Sequence, residues 1–144
     1  IRVANHGEFS SDARNAKIVN NTFIGNRVGL QSFGNHVPDA GHMFWNNVVH
    51  AGEYAVNIYL PSSTDFATAV SRDRIRFEHN VYSTPRVSSF LLNENTNLSL
   101  GSWRQAYGHD GEAPSSVAAD ALFVNAAAGD YRLQAASPAR SIAV

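Results

Sequence analysis

Lys17-Ile18-Val19-Asn20-Asn21-Thr22-Phe23 returns as Met43-Phe44-Trp45-Asn46-Asn47-Val48-Val49, and again as Arg76-Phe77-Glu78-His79-Asn80-Val81-Tyr82. In each copy an apolar residue stands three places before the second Asn position, and an apolar or aromatic residue two places after it. Asn21, Asn47 and Asn80 are 26 and 33 residues apart. A second phrase follows each copy: Val28-Gly29-Leu30-Gln31-Ser32-Phe33, then Tyr54-Ala55-Val56-Asn57-Ile58-Tyr59-Leu60, then Val87-Ser88-Ser89-Phe90-Leu91-Leu92. Aligning Leu30, Val56 and Phe90 gives spacings of 26 and 34.

Self-similarity at 20–50 residues is the mark of a solenoid. Helical repeats do not fit, because the segments are short, rich in β-branched and aromatic residues, and broken by Gly, Asn and Pro. Leucine-rich repeats do not fit either, since Leu is not the recurring residue. A coil of two or three short parallel strands, stacked on the next at ~4.8 Å, accounts for the pattern. Stacking then makes apolar columns of Ile18, Phe44 and Phe77, and of Leu30, Val56 and Phe90. Asn21, Asn47 and Asn80 form a ladder of amides at a corner, where Asn tolerates left-handed backbone.

Composition agrees with strands rather than helices. Hydrophobic residues make up 44% and charged residues only 16%, too few charges for the wet faces of a helical bundle. One domain with one core is expected at this length. The net charge of −1 supplies no field for nucleic acid or an anionic membrane. No cysteine is present, which excludes disulfides and thiolate metal sites and is compatible with a bacterial secreted protein. No run of roughly 18 apolar residues exists to span a bilayer. Sequons at Asn20 and Asn97 are chance matches in an Asn-rich chain.

Val3 stands 27 residues before Leu30, so the opening reads as the second phrase of a coil whose first half is missing, at a cut or processed N-terminus. Gly34 to Gly41 and Ser62 to Arg72 read as loops. The tail reads differently. Ser102-Trp103-Arg104-Gln105 resembles a capping box opening a short helix, with Gly108 as its stop. Ala121-Leu122-Phe123-Val124 and Asp130-Tyr131-Arg132-Leu133 read as two short strands. Residues 1–100 are thus expected to be coils, N-terminally incomplete, and residues 101–144 a cap.

These phrases resemble the right-handed parallel β-helix proteins of the pectate-lyase-like superfamily. The tail, from Ser102-Trp103-Arg104-Gln105 through Asp120-Ala121-Leu122-Phe123-Val124 and Gly129-Asp130-Tyr131-Arg132-Leu133 to Ser137-Pro138-Ala139, is similar to the C-terminal ending of bacterial β-helix polysaccharide lyases and glycoside hydrolases. The family pattern continues with Asp and Gly soon after Ser-Pro-Ala, where this chain has Arg140-Ser141-Ile142-Ala143-Val144. The resemblance implies an all-β, right-handed parallel β-helix solenoid of about three coils, with a C-terminal cap containing one short helix. It implies the C-terminal part of a secreted, extracellular or periplasmic protein acting on an acidic polysaccharide by lyase or hydrolase chemistry. An upstream β-helix segment or a second copy would meet its N-terminal end.

Strand alternation places Lys17, Met43 and Arg76, and then Val19, Trp45 and Glu78, on the outer face, with His79 beside them. Lys17, Arg76 and His79 are the candidate catalytic set: a lyase needs a base for the proton α to a carboxylate, and cations to neutralise that carboxylate. Trp45, Glu78, Asp39 and His42 are the candidate substrate-binding residues, Trp45 by stacking on a sugar ring. An ordinary solvated face with one packed Trp accounts for the same residues. His36, Asp39 and His42 match no metal signature. His50, Glu53 and Tyr54 form a further polar cluster that reads as structural. Carboxylates are sparse in the repeats, and no paired-Asp motif of the polygalacturonase kind is present, which keeps a non-catalytic glycan-binding, adhesion or assembly module as the competing reading. No cofactor is evident, and calcium is compatible with the resemblance.

Overall fold

The computed structural model describes residues 2–5, 15–34, 41–59, 67, 70–93, 95–112 and 114–142. The strands form where the repeated phrases lie. β2 (Lys17–Val19), β5 (His42–Trp45) and β8 (Ile75–Glu78) make one parallel sheet; β3 (Thr22–Ile24), β6 (Val48–His50) and β9 (Val81–Tyr82) make another. β1 (Arg2–Asn5), β4 (Val28–Gly34), β7 (Tyr54–Tyr59), β10 (Phe90–Leu92) and β11 (Thr96–Leu98) form a five-stranded sheet in that order. β12 (Phe123–Asn125) and β13 (Asp130–Leu133) pair as an antiparallel hairpin.

The register follows the repeat. Ile18 lies beside Phe44 and Phe44 beside Phe77, while Leu30 lies beside Val56 and Val56 beside Phe90. Val3 departs from expectation: it pairs with Ser32, two residues beyond Leu30. A shift of two preserves the face each residue occupies, so sequence alternation could not detect it.

The expected all-β right-handed parallel solenoid is corrected by this topology. The described strands fall into four separate sheets, one of mixed orientation and one wholly antiparallel, accompanied by helices. Local backbone explains both features. Left-handed residues at Asn20 (φ 59°), Asn46 (φ 55°) and His79 (φ 56°) end β2, β5 and β8 and turn the chain sharply, so two short sheets form instead of one long one. Asn93, at φ 47°, turns the chain after β10, and β11 comes back antiparallel rather than continuing the parallel order. The left-handed position is also one residue earlier than the ladder asparagines that were expected to occupy it.

Those asparagines bond in a column. Asn47 Oδ1 accepts the Asn21 backbone N–H at 3.0 Å, Asn80 Oδ1 accepts that of Asn47 at 2.9 Å, and Ser116 Oγ accepts that of Asn80 at 2.7 Å. Each inner amide also reaches back one rung, Asn47 Nδ2 to the Ile18 carbonyl (2.9 Å) and Asn80 Nδ2 to that of Phe44 (3.0 Å). Burial grades the column: Asn21 is exposed, while Asn47 and Asn80 are buried. Since an unsatisfied buried partner costs more than an exposed one, replacement by Ala is expected to cost about 2 kcal/mol at Asn80, about 1 at Asn47 and under ~0.5 at Asn21. Urea unfolding of the three variants checks the order; equal losses at all three would contradict it.

The interior cluster includes Leu30, Phe44, Val49, Val56, Phe77, Tyr82 and Phe90, all nearly inaccessible. α1 (Leu100–Tyr107) closes it. Its N-cap is Ser99, whose Oγ accepts the Ser102 N–H, so Ser102 lies inside the helix rather than at its start. Gly108 ends it at φ 70°, as its sequence position suggests. Trp103 of α1 is fully buried, stacked on Phe90 and edge-on to Phe77. A second apolar cluster joins Val48 and Val81 to Phe123, Ala139 and Ile142, so α2 (Ala139–Ile142) and the β12–β13 hairpin pack on the outer side of β6 and β9.

Candidate functional site

The turns that follow β3, β6 and β9 line up beside one another, because the strands they leave are in register. Together with residues 118–120 they enclose an open groove of about 1030 Å³. Arg27, Glu53 and Arg86 line it from successive repeats, as do His50 and Ser83. The phrase spacings place them there: Arg27 and Glu53 are 26 residues apart, and His50 and Ser83 are 33 apart.

The two arginines are held differently. Arg27 donates to Glu53 Oε2 at 2.9 Å, an exposed ion pair that neutralises its charge locally. Arg86 donates to the Tyr54 hydroxyl at 3.1 Å and stacks its guanidinium 4.8 Å from the Tyr54 ring centre. Among the described residues no carboxylate forms an ion pair with Arg86, so it brings positive charge to the groove. Asp120 lies on the facing wall with Oδ1 accepting the Leu122 N–H. His50 Nδ1 lies 3.1 Å from Ser83 Oγ.

The residues favoured by strand alternation lie on a different face. Trp45, Arg76, Glu78 and His79 come together there, but with the tail laid over them. Arg76 stacks 5.0 Å over Trp45 and donates to Glu112 Oε2 at 2.5 Å. Glu78 is fully buried, with Oε1 2.7 Å from the Arg72 guanidinium as an ion contact and Oε2 accepting the Glu112 N–H at 3.1 Å. Arg72 also pairs with Glu112. Desolvation pushes the Glu112 carboxyl up, yet hydrogen bonds from Arg72 and Arg76 and their charges outweigh it and hold it below the usual carboxylate range. His79 is buried and donates Nδ1–H to the Pro114 carbonyl at 2.6 Å, its ring 4.7 Å from Trp45. Lys17 is exposed in the same column as Arg76, two strands away with Met43 between them. His42 is buried, its Nδ1 accepting the Ala16 N–H at 3.2 Å. Asp39 and His36 lie outside the described residues. Glu78 and His79 thus serve contacts within the protein.

A third cluster is wholly internal. The Asp110 carboxylate, with no exposed surface, accepts from Tyr82 Oη (2.9 Å), Trp103 Nε1 (3.0 Å), Ser116 Oγ (2.5 Å) and Asn80 Nδ2 (3.4 Å). Burial pushes the Asp110 carboxyl up, while the four donors draw it back in part. Burial, with the Asp110 charge, also keeps the Tyr82 hydroxyl protonated. This carboxylate links the end of the Asn ladder to α1.

Among the described residues no group of three or more His, Cys, Asp or Glu is placed to hold a metal ion, and no helix is long and apolar enough to cross a membrane. Comparison with known proteins finds no match: no family model, no curated protein and no solved structure is significantly similar to the chain. The functional reading therefore stands on the groove and on the residues that line it.

Proposed function

We propose that the chain binds an acidic polysaccharide in the groove between the turns after β3, β6 and β9, as part of a carbohydrate-active protein of the secreted kind expected from the sequence. The observation that carries the reading is Arg86, presented on Tyr54 in an open groove with no carboxylate among the described residues paired to it. A planar guanidinium donates two parallel hydrogen bonds to a uronate. Arg27, Glu53 and Asp120 offer further planar polar groups to sugar hydroxyls. Calcium has no part in the proposed contact, since Arg86 itself supplies the positive charge. Lyase or hydrolase chemistry remains the expectation carried by the family resemblance; the groove geometry supports binding.

Calorimetric titration with a uronic-acid tetrasaccharide and with its neutral counterpart tests this. The acidic sugar is expected to bind, with affinity unchanged by a chelator, and Arg86→Ala to weaken it about tenfold, or ~1.4 kcal/mol. Equal affinity for the two sugars would remove the acidic assignment, and no binding of either would remove the groove reading.

A further inference from the structure

We propose that His50 and Ser83 form an acyl-transfer pair, and that the groove cleaves carboxylic esters carried on a saccharide. The saccharide part of this rests on the binding reading above; the reactivity of the pair does not.

His50 ends β6 and Ser83 follows β9, and the equivalent strands place the two side chains side by side on the groove wall. His50 Nδ1 and Ser83 Oγ are 3.1 Å apart. Ser83 Oγ also lies 3.2 Å from the Ala121 backbone nitrogen, whose N–H donates to it. A backbone N–H can only donate, so this contact fixes Oγ as an acceptor on that side. The hydroxyl proton is left to point at His50 Nδ1, which accepts it in the tautomer protonated at Nε2. An edge-on contact with Phe123, 5.4 Å between ring centres, holds the imidazole plane. A hydroxyl that donates to an imidazole while accepting an N–H is oriented for proton removal, and the same N–H steadies the alkoxide that results. The Ser83 backbone N–H is bonded to the Val49 carbonyl at 2.8 Å, which pins the residue in place.

The step balances without a further reagent. Ser83 Oγ attacks the ester carbonyl while His50 Nδ1 takes its proton. The carbon–oxygen bond to the sugar breaks, and His50 returns the proton to the departing sugar oxygen. Water, deprotonated by His50, then attacks the acyl-serine; the acyl carbon–Oγ bond breaks, the carboxylic acid leaves, and His50 returns the proton to Ser83 Oγ. Arg86 lines the same groove and brings positive charge to it.

The intact chain treated with a fluorophosphonate and mapped by peptide mass spectrometry gives the test. A single adduct on Ser83 is expected, forming roughly a hundredfold more slowly in His50→Gln, alongside hydrolysis of 4-nitrophenyl acetate that the same variant loses. Ser83→Ala removes the acceptor for the Ala121 N–H, so Ser83→Cys serves beside it and is expected to react with iodoacetamide in a His50-dependent manner. No adduct on Ser83, or one equally fast in His50→Gln, would overturn the proposal. Neither readout involves a saccharide, so failure here is separable from failure of the sugar titration.

Discussion

Asp110→Ala is expected to lower the unfolding free energy by roughly 3–5 kcal/mol, among the largest effects a single replacement in this chain should produce. The change removes the acceptor shared by Tyr82, Trp103, Ser116 and Asn80, all buried. Each orphaned donor costs about 1–3 kcal/mol, less whatever water and relaxation recover. Asp110→Asn keeps one acceptor oxygen and is expected to cost less, about 1–2 kcal/mol. Urea unfolding with an unchanged m-value measures both. A loss under ~1 kcal/mol for the Ala variant would show that burying the carboxylate cancels what its bonds contribute.

Acid should destabilise the protein through His109 before it reaches most carboxylates. His109 is enclosed, stacked on Trp103 and edge-on to Phe77, and donates Nε2–H to the Val70 carbonyl at 2.5 Å. Its Nδ1 is buried with no hydrogen-bond partner among the described residues. Protonating Nδ1 would place a charge among aromatic rings. Burial, aided by the Arg72 charge and opposed by the Val70 bond, lowers the histidine from 6.5 to about 4. The unfolded chain therefore binds the extra proton first. Stability rises with pH wherever the unfolded state holds more protons, so it is complete above 6.5, falls as the pH drops towards 4, and loses about 3 kcal/mol over that window at ~1.4 kcal/mol per pH unit. Asp110 acts in the opposite sense. Its raised carboxyl binds a proton more tightly when folded, so its contribution improves as the pH falls through its folded value. Unfolding of the wild type and His109→Phe at pH 7 and pH 4.5 separates the two. The variant is expected to be the less stable at pH 7, for want of the Val70 bond, and the more stable at pH 4.5. Parallel pH dependence would contradict the assignment.

The repeated phrases made the strand register legible, because a column of like side chains leaves its spacing in the sequence. Ile18, Phe44 and Phe77, and the asparagines that follow them, could be matched without coordinates. The tail's short helix, its Gly108 stop and its two strands were legible; what could not be read was where the tail lies against the repeats. Ser116 completes the Asn column from outside any repeat, 36 residues beyond Asn80, and Val117 makes an isolated parallel bridge to Val81. Its arrival over Glu78 and His79 buried two residues of a face that alternation marked as outward. The turn after β10 was equally hidden, since Asn93 is one asparagine among many. For the groove, the signal was present but differently placed: Arg27, Glu53 and Arg86 recur at the phrase spacings, in the turns rather than in the strands that carry Lys17, Trp45 and Arg76. His50, Glu53 and Tyr54 were visible as a cluster, and only the register shows that Ser83 and Arg86 complete it.

Backbone amide NMR during titration with a uronic-acid tetrasaccharide tests the binding reading most directly, because it separates the two faces in one experiment. Saturable shifts are expected at Gly25 to Arg27, His50 to Glu53, Thr84, Arg86, Val87 and Ala118 to Asp120. Shifts confined to Lys17, Trp45 and Arg76, or a spectrum unchanged at saturating sugar, would contradict it.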